Sequence, residues 1–150
     1  MRKLILGLLF SIIIPITNAQ SVQPDPKEVG RLYDFISDWW KTPYKYGGGT
    51  ARGIDCSAFT GKLYKYVYNT SIPRTAKEQF NYSKRVSKNN LKDGDLVFFR
   101  THIKSGWHVG VYIVDGFFVH ASSHRGVYVS NLKETYYAKK YYGGGRIRPT

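Results

Sequence analysis

Cys56 is the only cysteine among 150 residues. It follows the run Tyr46-Gly47-Gly48-Gly49-Thr50-Ala51-Arg52-Gly53-Ile54-Asp55, after which Ser57-Ala58-Phe59 opens an apolar periodic segment. Asp55 is placed as an N-cap, so the thiol falls in the first turn of a helix. Unpaired N–H groups and the positive end of the helix dipole gather there, and a thiol pKa near 8.5 is expected to fall toward neutrality. The chemistry this suggests is that of a cysteine nucleophile. Such a nucleophile needs a group that takes its proton and returns it to the leaving group, usually histidine. His108 opens an apolar run at Trp107-His108-Val109-Gly110-Val111, and His120 closes the next at Phe118-Val119-His120-Ala121-Ser122. His102 and His124 lie in polar loops and read as solvated residues.

Whether His108 and His120 can cooperate depends on one turn. A two-residue hairpin at Asp115-Gly116 would put them on opposite faces of the sheet. A three-residue loop, Val114-Asp115-Gly116 with Gly116 left-handed, pairs Ile113 with Phe117 and Gly110 with His120. The histidines are then diagonal neighbours on one face, close enough for a ring-to-ring hydrogen bond. The longer loop is the expected one. His120 would then accept from His108 and fix its tautomer, which is the logic of nucleophile, base and orienter.

The elements that must hold these groups are legible in outline. Val29, Leu32, Tyr33, Ile36 and Trp40 recur at helical spacing from Lys27 to Lys41, ending at Thr42-Pro43. Phe59, Leu63, Tyr66 and Val67 continue the face begun at Cys56, and Thr75 caps a short third helix to about Phe80. Beyond it the runs at 96–100, 108–114, 117–122 and 126–132 read as strands, with 145–148 as a further edge strand and the tyrosines of 136–142 as sheet packing. Helices followed by an antiparallel sheet give an α+β domain over 27–150.

The N-terminus carries a different signal. Met1-Arg2-Lys3, the apolar run from Leu4 to Ile14 and Thr17-Asn18-Ala19 predict a cleaved secretory leader over 1–19, with 20–26 as a tether. The apolar run is shorter than the ~20 residues of a membrane span. With no cysteine near the cleavage site, a lipid anchor is not expected. A single cysteine excludes an internal disulfide, so an exported free thiol reads as one kept for reactivity. Lys and Arg number 23 against 10 acidic residues, a net charge of +13 that leader cleavage would lower by two. Such a charge suits an anionic partner. Export argues against nucleic acid and leaves envelope polymers and lipid headgroups.

Six segments together resemble the NlpC family of bacterial cell-wall cysteine peptidases. They are Pro43-Tyr44-Lys45-Tyr46-Gly47-Gly48, Gly53 to Phe59, Ile72-Pro73-Arg74-Thr75, Leu91 to Phe99, His108 to Tyr112, and Phe118 to Ser122. Within the family the chain is most similar to single-domain murein endopeptidases of the Spr type. The resemblance implies a papain-like NlpC fold, Cys56 as nucleophile, His108 as base and His120 as the third polar residue. It also implies substrate contacts from Tyr46, Asp55 and Ser57. Arg74 reads as a loop-stabilising residue or as a docking group for substrate carboxylates. Ala58 stands where the family usually has glycine, which a helix tolerates. One cysteine and two histidines could also ligate zinc, but the glycine-rich approach and the resemblance favour no metal and no cofactor. The expected activity is hydrolysis of amide bonds in peptidoglycan, by a monomer in the periplasm or outside the cell. Two bonds stay open: γ-D-glutamyl to diamino acid, or the D-alanyl to diamino acid cross-link. A non-catalytic wall-binding protein, and an exported toxin or acyltransferase on the same fold, are the alternatives.

Overall fold

The structure is a computed structural model and describes residues 25–101 and 106–147. The expected leader (1–19), the first part of the expected tether (20–24), His102 and Arg148 lie outside the described residues. The end of the tether is corrected: Asp25 accepts from the Lys27 N–H at 2.9 Å and caps α1 (Pro26–Trp39), with Pro26 at the one position where a missing N–H costs nothing. This helix also ends two residues before the expected Lys41. Lys41 takes φ +61°, its N–H donates to Val127 O, and the Val127 N–H donates to Thr42 O. Pairing with the sheet therefore pulls the chain out of its helix before Pro43.

The glycine run contains a two-stranded ribbon, β1 (Gly49–Thr50) and β2 (Gly53–Ile54), which sequence periodicity did not reveal because it is only two residues long. Gly48 sits where a Cβ would lie 2.5 Å from Gly53 O, so only glycine closes this loop. The ribbon delivers Asp55, which caps α2 (Cys56–Tyr68) by accepting from the Ala58 N–H at 2.7 Å. Asn69 ends α2 in the left-handed conformation, φ +49°. Thr75 and Glu78 form a reciprocal capping box on α3 (Ala76–Tyr82).

Six antiparallel strands follow: β3 (Lys84–Val86), β4 (Leu96–Arg100), β5 (Trp107–Tyr112), β6 (Phe117–Ser122), β7 (Gly126–Asn131) and β8 (Tyr141–Arg146), ordered β3-β8-β4-β5-β6-β7. The α+β expectation holds. The last strand is not the edge that the sequence suggested, because it lies between β3 and β4 and starts at Tyr141. Gly143, Gly144 and Gly145 hide it from any apolar pattern, and a Cβ on Gly145 would press into Ser83 and Phe98. Tyr136 and Tyr137 belong to α4 (Thr135–Lys140), and Tyr137 and Tyr141 pack on the sheet as expected.

One face of the sheet, with Leu96, Phe98, Val109, Val111, Val119 and Ala121, packs on Phe59, Leu63, Tyr64 and Val67 of α2 and on Leu32, Phe35 and Ile36 of α1. The opposite face buries Val97, Phe99, Phe118 and Leu132 under Tyr137 and Tyr141. Burying both faces is what fixes register, since a one-residue slip would exchange them. Between β5 and β6 the register is Val111↔Val119 and Tyr112↔Phe118. Ile113 N–H donates to Phe117 O and Phe117 N–H to Val114 O, with Asp115 at φ +52° and Gly116 at φ +85°. The turn itself is therefore two residues, Asp115 and Gly116, both left-handed, rather than the expected three, and Val114 is a bulge beside it that still sets Ile113 against Phe117. One step beyond the Val111↔Val119 pair, Gly110 lies beside His120.

Gly110 lets the strands close at that point: a Cβ there would lie 2.7 Å from Phe118 Cδ2, 2.9 Å from Val119 O and 3.1 Å from His120 Cβ. Gly110→Ala is expected to lower stability by about 1–3 kcal/mol through overpacking, read as a fall in the urea midpoint at unchanged slope. A loss under 0.5 kcal/mol would show that the hairpin has room to move.

Candidate active site

Cys56 is positioned by its cap. Asp55 Oδ1 takes the Ala58 N–H and, at 3.1 Å, the Ser57 hydroxyl, while Oδ2 takes the Gly47 N–H at 3.1 Å from the loop above. Arg74 closes the group from outside. Its Nη2 pairs with Asp55 Oδ2 at 2.7 Å, and its Nη1 donates to Asp55 Oδ1 and Ser57 Oγ, each at 3.0 Å. Asp55 and Ser57 are buried, whereas the Arg74 side chain is half exposed. Burial alone would raise the Asp55 carboxyl. The Arg74 hydrogen bonds, the Ala58 amide, the Arg74 charge and Ser57 outweigh it and hold the group below the ordinary carboxylate value.

The thiol itself departs from the expectation of a lowered pKa. Cys56 is 7% exposed, and burial pushes the thiol up to about 11. The Val109 amide opposes that rise, the Asp55 carboxylate adds to it, and the amides of Ser57 and Cys56 also oppose it. Desolvation wins over the helix terminus because the core packs directly against this turn.

Val109 is the link between helix and sheet. Along β4 and β5 the hydrogen-bonded pairs run through Asp95 with Tyr112 and Thr101 with Gly106, which leaves the Val109 N–H directed toward β6. Its partner there would be Ala121, but the registered ladder between β5 and β6 ends at Val111↔Val119. The Val109 amide is also one of the groups that favour negative charge on the Cys56 sulfur. Cys56 is thus influenced by the residue next to His108, close to the end of the β5–β6 register.

His108 and His120 occupy the face of Phe99 and Phe118. They meet edge to face with His108 Nε2 2.8 Å from His120 Nδ1. His120 Nε2 lies 3.2 Å from both Ser130 Oγ and Tyr137 Oη. Burial pushes His108 down to about 4 and, with the charges of His108 and Arg125, holds His120 well below the usual histidine value. Both rings are neutral at pH 7, so their bond is a chain of single donors: with Nε2–H on His108, His120 accepts at Nδ1 and donates from Nε2 to Ser130 and Tyr137. Ser130 and Tyr137 were not singled out from the sequence. Strand pairing to β7 and the fold-back of α4 bring them in, and neither leaves a local signal.

A cavity of about 330 Å³ opens over the thiol, lined by Tyr44, Tyr46, Asp55, Ser57, Arg74 and Trp107 among others. Tyr46 is more than half exposed on its rim. Tyr44 is a further member; burial raises its hydroxyl to about 12, with Cys56, Asp55 and Tyr46 adding to the effect. Arg74 thus borders the cavity with its charge already engaged by Asp55. His124 is an exposed loop residue that borders a separate cavity, and among the described residues no group of three His, Cys, Asp or Glu side chains is arranged to hold a metal.

The model of the NlpC/P60 family matches residues 41–146, which contain every side chain just described. The chain belongs to the NlpC/P60 family. It is 41% identical over 117 residues to the Escherichia coli protein named murein DD-endopeptidase MepS/murein LD-carboxypeptidase, an alignment covering 78% of this chain and 62% of that one. It is 41% identical over 131 residues to a probable endopeptidase NlpC homolog of Haemophilus influenzae, covering 87% and 68%. Among solved structures, an NlpC/P60 family protein of Bacillus cereus superposes with a TM-score of 0.71 at 32% identity, over 81% of this chain and 40% of that one. The chain thus spans less than two thirds of the length of MepS.

Two measurements test this electrostatic picture. Because the folded Asp55 pKa is depressed, its contribution to stability is present above the unfolded value of about 3.9 and is lost as pH falls through the folded value. Arg74→Gln is expected to cost about 1–2 kcal/mol at pH 7, discounted for the exposure of Arg74, and to move the acid limb of a urea-midpoint profile to higher pH; an unchanged limb would dissociate the pair. For the thiol, alkylation by iodoacetamide should be slower at pH 7 than that of free cysteine and climb through pH 9–10. A rate that plateaus below pH 6 would mean a resting thiolate.

Proposed function

We propose that this protein is an exported cysteine endopeptidase that hydrolyses amide bonds in the stem peptides or cross-links of peptidoglycan. The observation that carries the reading is the 2.8 Å bond between His108 Nε2 and His120 Nδ1, one residue from Val109, whose amide favours negative charge on the Cys56 sulfur. Nε2–H held by His120 leaves Nδ1 of His108 as the basic nitrogen. That nitrogen takes the thiol proton as sulfur attacks the carbonyl, which produces the thiolate only when it is consumed. The Val109, Ser57 and Cys56 amides favour negative charge at the sulfur.

The tetrahedral oxyanion is met by backbone N–H groups at the start of α2 together with Tyr46, each donor being worth about 3 kcal/mol. His108 then protonates the departing amine, and water, activated by the same ring, releases the acid from the thioester. The relatives' names supply the polymer: MepS is named for murein bonds, and this chain carries the same family domain. A net charge of +13 supports docking on a wall that carries free carboxylates. The leader expected over 1–19 supports export, and among the described residues no helix is long and apolar enough to cross a membrane.

Purified protein and Cys56→Ala, incubated with peptidoglycan sacculi, should differ in the muropeptides released, whose masses name the bond cut. Equal release would sink the enzymatic reading. His120→Ala is expected to lower kcat by about 10²-fold or more while leaving Cys56 open to alkylation; full activity in that variant would remove His120 from the mechanism.

A further inference from the structure

A second cavity, of about 360 Å³, lies on the histidine side and is lined by Thr101, His108, His120, Arg125, Glu134 and Tyr137 among others. Trp107 borders the cavity over the thiol and His108 borders this one, as side-chain alternation along β5 requires. Thr101 is 7% exposed, and among the described residues its Oγ1 has no hydrogen-bond partner. Buried hydroxyls are costly to leave unpaired, so one aimed into a cavity marks a place where a ligand atom completes it.

The charges at the cavity point the same way. Arg125 lies over the Tyr128 ring, 4.8 Å from its centre, and among the described residues forms no ion pair. Glu134 accepts the Asn131 N–H at 2.7 Å and is likewise without a cation. A guanidinium over an aromatic ring still has N–H edges to offer a carboxylate.

On the catalytic reading above, His108 protonates the leaving nitrogen, so the leaving residue starts beside His108, which lines this cavity. We infer that this cavity seats the leaving residue, and that Arg125 binds a free carboxylate carried beside the leaving nitrogen, with the Thr101 hydroxyl donating to the same residue. Glu134 sets the direction by repelling that carboxylate and accepting a neutral or cationic group at the other end. The ligand class is an amino acid unit whose amide nitrogen and free carboxylate share one carbon. A C-terminal residue and the carboxylate-bearing centre of a diamino acid cross-link both present it.

The test uses two matched substrate pairs: a stem tetrapeptide ending in D-alanine against its C-terminal amide, and a cross-linked dimer with the centre carboxylate free against the amidated form. The protein should prefer the free carboxylate by about tenfold in kcat/KM in whichever pair it cleaves, which distinguishes the two sources. Arg125→Ala should abolish that preference mainly through KM, and Arg125→Lys should restore part of it. A preference absent from the protein or retained in Arg125→Ala would overturn the assignment. Equilibrium binding to Cys56→Ala, with and without Arg125→Ala, keeps the two readings apart. Carboxylate-selective binding that needs Arg125 supports the site even if neither pair is hydrolysed, and unselective binding refutes it even if both are.

Discussion

The pairing between β5 and β6 is the constraint on which the site depends. Their ladder is registered at Val111↔Val119 and Tyr112↔Phe118 and stops short of Val109, whose amide favours negative charge on the Cys56 sulfur. Cys56 and α2 pack on the face of Val109 and Val111, while the histidine rings lie on the face of Phe99 and Phe118. Gly110 is part of the same device, because any side chain there would meet Phe118 and His120.

Burial then sets the electrostatic state. The thiol is pushed up to about 11 and His108 down to about 4, so the resting pair is neutral rather than ionised. Helix-terminal dipoles are present but oppose a larger desolvation cost. Beside the thiol the ion pair is that of Asp55 and Arg74, where several donors converge on one buried carboxylate. That pair ties together the glycine loop, the cap of α2 and the segment before α3, and so holds the wall of the cavity over the thiol.

The two cavities divide along the same line. Trp107 and His108 are neighbours in sequence, yet alternation along a strand sends one to the thiol side and the other to the histidine side. A single strand therefore contributes a wall to each cavity. The supports behind His120, from Ser130 and Tyr137, come from a strand and a helix later in the chain, so the orienting chain closes only when β7 and α4 have packed.

Local chemistry was legible from the residues alone. Asp55 as a cap, the first-turn cysteine, the type of most elements and the placement of His108 and His120 on one face follow from short-range rules of capping, periodicity and register, although the turn that achieves it is a two-residue one with a bulge at Val114. The six motif segments added the family and the fold. Tertiary structure decided what depends on distant neighbours. It placed the glycine-rich last strand inside the sheet, where small residues permit close approach. It brought Tyr44, Ser130 and Tyr137 to the site, and it reversed the expected shift of the thiol, since burial is a property of the packed molecule and not of a helix terminus.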